Sequence, residues 1–164
     1  MSDHQFINNY LKDFIELLQP NEDITEELVK VRNLLQVISS SNKKVLIFGN
    51  GGSAAIASHF SVDLTKNAKI RSVNFNEASL ITCFANDYGF EHWAEKAVDF
   101  YGDEGDLLIV ISSSGQSQNM INAVKAARNG GFHSVVTLSG FLETNPLKEL
   151  GDINLWANNK SYNF

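Results

Sequence analysis

The stretch Ile109–Val110–Ile111–Ser112–Ser113–Ser114–Gly115–Gln116–Ser117 sets an apolar run directly against four serine hydroxyls and a glycine. A short apolar run bounded by turn residues reads as a buried strand. A helical pattern begins at Ser117 and ends before Gly130–Gly131, a strong stop signal. Serine hydroxyls, together with the unpaired N–H groups that open a helix, are suited to surround the oxygens of a phosphate. A bare helix cap would need only one serine. The stretch therefore predicts a strand–loop–helix unit that binds a phosphorylated small molecule.

A second loop of the same kind lies upstream. Val45–Phe48 is an apolar strand, and Gly49–Asn50–Gly51–Gly52–Ser53 follows it. The glycines let the backbone turn tightly and admit a ligand close to it. Ser53 either caps the next helix or offers its hydroxyl to the ligand. The loop is not a dinucleotide fingerprint, because Ala54 stands where the third glycine would fall, and no Gly–Lys–Ser/Thr follows to make a P-loop.

The rest of the pattern alternates. Strands are expected at Ile70–Phe75, Leu107–Ile111, Ser134–Leu138 and Ile153–Trp156, with helices at Ser53–Lys66, Glu77–Phe84, His92–Phe100 and Ser117–Asn129. Apolar strands alternating with helices predict a mainly parallel sheet covered on both faces, with ligands beyond the carboxyl ends of the strands. Two helices precede this alternation. Phe6, Ile7, Tyr10, Leu11, Phe14, Ile15 and Leu18 form one stripe, and Leu28, Val31, Leu34, Leu35 and Ile38 form another after a break at Pro20–Asn21. These stripes cover the core, face another subunit, or do both.

The bulk numbers suit one domain spanning residues 1–164, with a helical extension over residues 1–40. The 164 residues are 43% hydrophobic, enough for a real core. A net charge of -6 does not favour a nucleic-acid backbone. There is neither an apolar stretch of membrane length nor a signal-peptide pattern, so no membrane partner is expected and a cytoplasmic location is the default. The single cysteine, Cys83, excludes an intrachain disulfide and an all-cysteine metal site, and its apolar neighbours place it in the core.

Several polar side chains are candidates for chemistry. His59 falls six residues after Ser53, and Asp63 four further on along the same helix face. That pair suits a proton relay or two ligands of a divalent metal, which normally needs at least one more. Asp87, in a loop ahead of Tyr88–Gly89, suits a sugar hydroxyl or a turn cap. His92, Glu95 and Asp99 share helical spacing and read as a solvated face, while Trp93 and Met120 read as packing residues.

Taken together, Phe48–Ala55, His59–Phe60, Ala85–Phe90, the serine loop Ser112–Ser117 and the helix through Ala123, Ala126, Ala127 and Arg128 resemble the sugar isomerase (SIS) domain family, and within it the phosphoheptose isomerases. The resemblance covers nearly the whole chain. It implies a three-layer α/β/α sandwich around a five-stranded parallel sheet, in a homotetramer with active sites at subunit interfaces. It implies that Ser112, Ser114 and Ser117, within the loop that includes Ser113, hold the substrate phosphate. Asn50 and Ser53, with Gly51 and Gly52 of their loop, would meet the sugar–phosphate backbone, and Asp87 the sugar hydroxyls. His59 matches the family's metal ligand, usually for zinc. The implied reaction interconverts sedoheptulose 7-phosphate and D-glycero-D-manno-heptose 7-phosphate for lipopolysaccharide or capsule heptose. Such an isomerisation passes through an enediol(ate), with Asp63 the candidate base and a metal on His59 the electrophile.

Two departures from the family pattern stand out. The family has a glutamate, both ligand and base, where this chain has the shorter Asp63. A displacement of about 1 Å can cost of order a hundredfold in rate. Family members also continue into a C-terminal helix with a glutamine and a histidine that complete the metal and acid–base set, whereas this chain ends at Phe164 and is expected to lack that helix. A non-catalytic sugar-phosphate-binding protein and an isomerase of another aldose–ketose pair are the alternatives these departures open.

Overall fold

The computed structural model describes residues 1–19 and 21–159. In chain order the elements are α1 (Asp3–Leu17), α2 (Glu22–Ser40), β1 (Val45–Gly49), α3 (Gly52–Lys66), β2 (Ser72–Asn74), α4 (Ala78–Tyr88), α5 (Trp93–Tyr101), β3 (Leu107–Ser112), α6 (Gln118–Asn129), β4 (Ser134–Ser139), α7 (Pro146–Leu150) and β5 (Ile153–Trp156). The five strands form one sheet in the order β2-β1-β3-β4-β5, and every pairing is parallel.

Strand side chains alternate between faces, and the core divides accordingly. Leu46, Phe48, Leu108 and Val110 point to one side, where Trp93, Ala97, Met120, Ala123 and Leu147 of α5, α6 and α7 cover them. Val45, Ile47, Leu107, Ile109 and Ile111 point to the other, against Val31, Leu34 and Ile38 of α2 and Ala57 and Leu64 of α3. A sheet buried on both faces explains why β1 and β3 read as unbroken apolar runs. The three-layer α/β/α arrangement with two leading helices is the one expected.

The differences have local causes. α2 packs on the sheet, but α1 buries none of its residues, and Phe6, Ile7, Leu11 and Ile15 are each about half exposed or more. α1 therefore does not cover the core. The expected break at Pro20 lies outside the described residues; Asn21 N-caps α2, its Oδ1 accepting from the Ile24 N–H at 2.7 Å. β2 is an edge strand of three residues, with the buried Ile70 and Phe75 flanking rather than joining the ladder. α4 runs on to Tyr88, so Asp87 lies in its last turn and not in a loop. Cys83 is exposed on the outer side of α4, because only Leu80, Ile81 and Phe84 of that helix turn toward the core. α7 is an element beyond those the sequence pattern predicts.

The amino-terminal ends of the strands carry a structural ion pair. Arg128 at the end of α6 donates to Asp152 Oδ1 at 2.8 Å, and the Val135 N–H donates to Asp152 Oδ2 at 2.8 Å, tying α6, β4 and β5 together. Partial burial pushes the Asp152 carboxyl up, but the Arg128 hydrogen bond and the Val135 N–H outweigh it and hold it below the usual aspartate range. A depressed carboxyl stabilises the fold fully above its unfolded-state value and loses that contribution as pH falls through the folded one. The thermal midpoint should therefore fall on acidification below about pH 4, and Asp152→Asn should fall less over the same interval. Equal slopes in a calorimetric pH series would remove Asp152 from the account.

Candidate active site

The sheet order places the site. β1 and β3 are neighbours, and the chain leaves them for opposite flanks of the sheet, so a crevice opens beyond their carboxyl ends. The two loops singled out in the sequence meet there. They form a cleft of about 320 Å³ lined by Asn50, Gly51, Ser53, Ile111, Ser112, Ser113, Ser114, Ser117 and Phe141. All four serines of the second loop thus face one space with Ser53 of the first.

The serine loop is held by its backbone. The Gly115 N–H donates to Ser112 O at 3.0 Å, the Gly140 N–H to Ser113 O at 3.0 Å and the Leu147 N–H to Gly115 O at 3.1 Å. Ser112 Oγ donates to Ser117 Oγ at 3.3 Å, and the Gln116 N–H donates to Ser114 Oγ at 3.2 Å. Ser117 is the N-cap of α6 yet makes no side-chain capping bond. The first N–H groups of a helix lack an i−4 partner; that of Met120 is taken by Ser117 O and Asn119 Oδ1, and those of Gln118 and Asn119 with the Ser117 hydroxyl are the candidate donors for an anion. These groups are neutral hydrogen-bond donors, so a net charge of -6 does not bar an anion from the cleft.

Gly115 has a φ of +65°, and a Cβ there would meet Asn145 Oδ1 at 1.9 Å. Asn145 is fully buried. Its Nδ2 donates to Ser139 Oγ at 3.1 Å and Leu142 O at 2.8 Å, while its Oδ1 accepts from the Lys148 N–H at 2.9 Å as the N-cap of α7. The side chain clamps the serine loop against the β4 turn and α7. Gly49 permits a second close approach, since a Cβ there would lie 2.6 Å from the Ser53 carbonyl. That contact brings the start of α3 against the end of β1.

The other candidates differ in where they sit, and Gly52, His59, Asp63 and Asp87 lie outside the cleft lining. Gly51 is the N-cap of α3 and Gly52 its first residue; Gly52 does not line the cleft, and Ser53 sits inside the helix rather than capping it. His59 and Asp63 occupy the outer face of α3, with side chains 80% and 48% exposed and His59 Nε2 3.5 Å from Asp63 Oδ2. Six residues of helix separate Ser53 from His59, a rise of about 9 Å. Asp87 is exposed on α4, its Oδ1 accepting from Asn86 Nδ2 at 2.9 Å, and it is not among the cleft residues. His92 Nδ1 lies 2.6 Å from Glu95 Oε2, so that trio is a surface pair on α5 with Asp99 bound to Lys96.

Among the described residues no group of three histidine, cysteine, aspartate or glutamate side chains could hold a metal ion. His59 and Asp63 offer two donors, half of a tetrahedral zinc set. No helix among these residues is long and apolar enough to cross a membrane.

Three residues of the site went unnoticed in the sequence. Asn119 and Asn145 are buried carboxamides, and Phe141 forms a wall with a φ of +58°. Asn145–Pro146 carried a readable signal, an N-cap residue before a proline at the first helical position. Asn119 carried none.

The SIS domain family model matches residues 9–140, spanning both the glycine loop and the serine loop. The chain belongs to the SIS-domain family. It is similar to the phosphoheptose isomerase of Fusobacterium nucleatum, 42% identical over 130 residues that cover 76% of this chain and 65% of that one. The Aliarcobacter butzleri phosphoheptose isomerase is 37% identical over 140 residues, 82% of this chain and 73% of that protein. Among solved structures, the phosphoheptose isomerase of Neisseria gonorrhoeae superimposes with a TM-score of 0.90 at 31% identity, covering 99% of this chain and 90% of that one. This SIS domain therefore spans just under two thirds of the Fusobacterium relative's length.

Proposed function

We propose that this SIS-domain protein is an aldose–ketose isomerase that interconverts sedoheptulose 7-phosphate and D-glycero-D-manno-heptose 7-phosphate, supplying heptose for lipopolysaccharide or capsule. The observation that carries the reading is the cleft where the glycine loop and the serine loop meet, in a chain akin to phosphoheptose isomerases. Ser112, Ser114, Ser117 and the first amides of α6 would hold the phosphate, with Asn50 and Ser53 along the sugar–phosphate backbone. The rise of about 9 Å along α3 from Ser53 to His59 separates the sugar–phosphate contact from the candidate metal ligand. Anchoring the phosphate lets remote binding energy orient the carbonyl end.

At that end Asp63 is the base, removing the proton beside the carbonyl and returning it to the neighbouring carbon through an enediol(ate). His59 and Asp63 would contribute this subunit's two donors to a zinc ion, whose bound form polarises a carbonyl. The further donors would come from outside the described residues or from another subunit. A homotetramer is the assembly proposed. The half-exposed Phe6, Ile7, Leu11 and Ile15 of α1 supply an apolar stripe for it, and a site between subunits would let Asp87 reach sugar hydroxyls from a neighbour.

The incomplete donor set favours a second reading, a sugar-phosphate-binding protein without catalysis. Turnover of sedoheptulose 7-phosphate by the purified protein, with and without added zinc, separates the two. Isomerisation that rises with zinc is expected. Micromolar binding of the sugar phosphate without turnover would establish the second reading instead, and no binding would remove both.

A further inference from the structure

Asn119 lies in the first turn of α6 and is 3% exposed. A buried carboxamide needs partners, and this one finds them 69 residues away in the glycine loop. Asn50 Nδ2 donates to Asn119 Oδ1 at 3.0 Å, and Asn119 Nδ2 donates to Asn50 Oδ1 at 2.9 Å. The Met120 N–H donates to Asn119 Oδ1 as well, at 3.1 Å, which fixes which end of the Asn119 amide is the oxygen. Two reciprocal bonds lock both amide planes. Turning either amide over would set donor against donor and acceptor against acceptor.

Asn50 lines the cleft, whereas Asn119 does not. An asparagine has two amide hydrogens and two acceptor sites. The pair uses one hydrogen and one acceptor site of Asn50, and leaves the other hydrogen for a ligand. We infer that Asn119 is a positioning residue for this site. It sets the register between the glycine loop and the serine loop, and it holds the Asn50 carboxamide in the one orientation that keeps a donor for an anionic ligand. This rests on the cleft being a sugar-phosphate site.

The test is a double-substitution cycle on the full chain, read as affinity for inorganic phosphate and for sedoheptulose 7-phosphate by calorimetry. Asn119→Ala should weaken binding about tenfold when Asn50 is present. In the Asn50→Ala background it should add almost nothing, because the group it acts through is gone. A role in folding alone would give the same loss in both backgrounds, and that result overturns the inference, as does an unchanged affinity. Asn119→Asp keeps the shape and the acceptor for Met120 but loses the Nδ2 donor, so it carries the same cycle if the alanine variant does not fold. A penalty from its added charge would persist without Asn50, and a loss that persists in this way also counts against the inference. A wild-type protein that binds neither probe would overturn the phosphate reading first, and this inference with it.

Discussion

Gly115→Ala is expected to destabilise the protein by about 3–4 kcal/mol and to abolish phosphate binding at concentrations that saturate the wild type. Two costs combine. An alanine at a φ of +65° is strained, and its Cβ would fall 1.9 Å from Asn145 Oδ1. Asn145 cannot step aside cheaply, because it is fully buried and bonded to Ser139, Leu142 and Lys148. Displacing it would leave buried polar groups unpaired, at about 1–3 kcal/mol for each lost partner. It would also release the start of α7 and loosen the loop whose hydroxyls form the cleft. Gly52→Ala is the control: a Cβ at Gly52 meets nothing within 4 Å. That substitution should shift stability by less than about 1 kcal/mol. Urea unfolding of both variants checks the contrast through the midpoint at constant slope. Similar midpoints for the two would mean that Asn145 does not clamp the serine loop.

The fate of Asn145 and Asn119 marks the limit of what one sequence discloses here. β1 and β3 were legible because burial on both faces demands continuous apolar residues, and Val45–Phe48 and Leu107–Ile111 supply them. The glycine loop and the serine loop were legible because their tight turns and clustered hydroxyls show in the residues local to each loop. The apolar pattern over 70–75 overstates β2, since Ile70 and Phe75 are apolar to fill the core beside the strand, not to extend it. Apolar neighbours in sequence point Cys83 inward, yet a helix buries only one stripe and Cys83 lies off it. α7, with five residues, is too short for periodicity to show. The Asn50–Asn119 pair could not be read at all, because nothing local distinguishes asparagines that meet across 69 residues from asparagines that meet water.

Asp63→Asn should lower turnover of sedoheptulose 7-phosphate by about 10²–10⁴-fold, the usual contribution of a general base. Stability should hardly change, by less than about 0.5 kcal/mol. Asp63 is half exposed, and its contacts are His59 at 3.5 Å and the Asn67 amide at 3.0 Å along one face of α3. The amide keeps the shape and the acceptor for Asn67 while removing the basic oxygen, so a rate loss without a stability loss isolates the chemistry. Asp63→Glu keeps the basic oxygen but moves it by about one methylene, a displacement worth up to about a hundredfold in rate. It should therefore retain more activity than Asp63→Asn, and phosphate affinity should be the same in all three proteins because Asp63 is not among the residues that line the cleft. If Asp63→Asn turns over at the wild-type rate, the pair on α3 is a surface contact and the proton is moved by another residue. If Asp63→Glu is as slow as Asp63→Asn while phosphate still binds, the site is built for the shorter side chain, and the departure from the family's glutamate is matched by the placement of the helix itself.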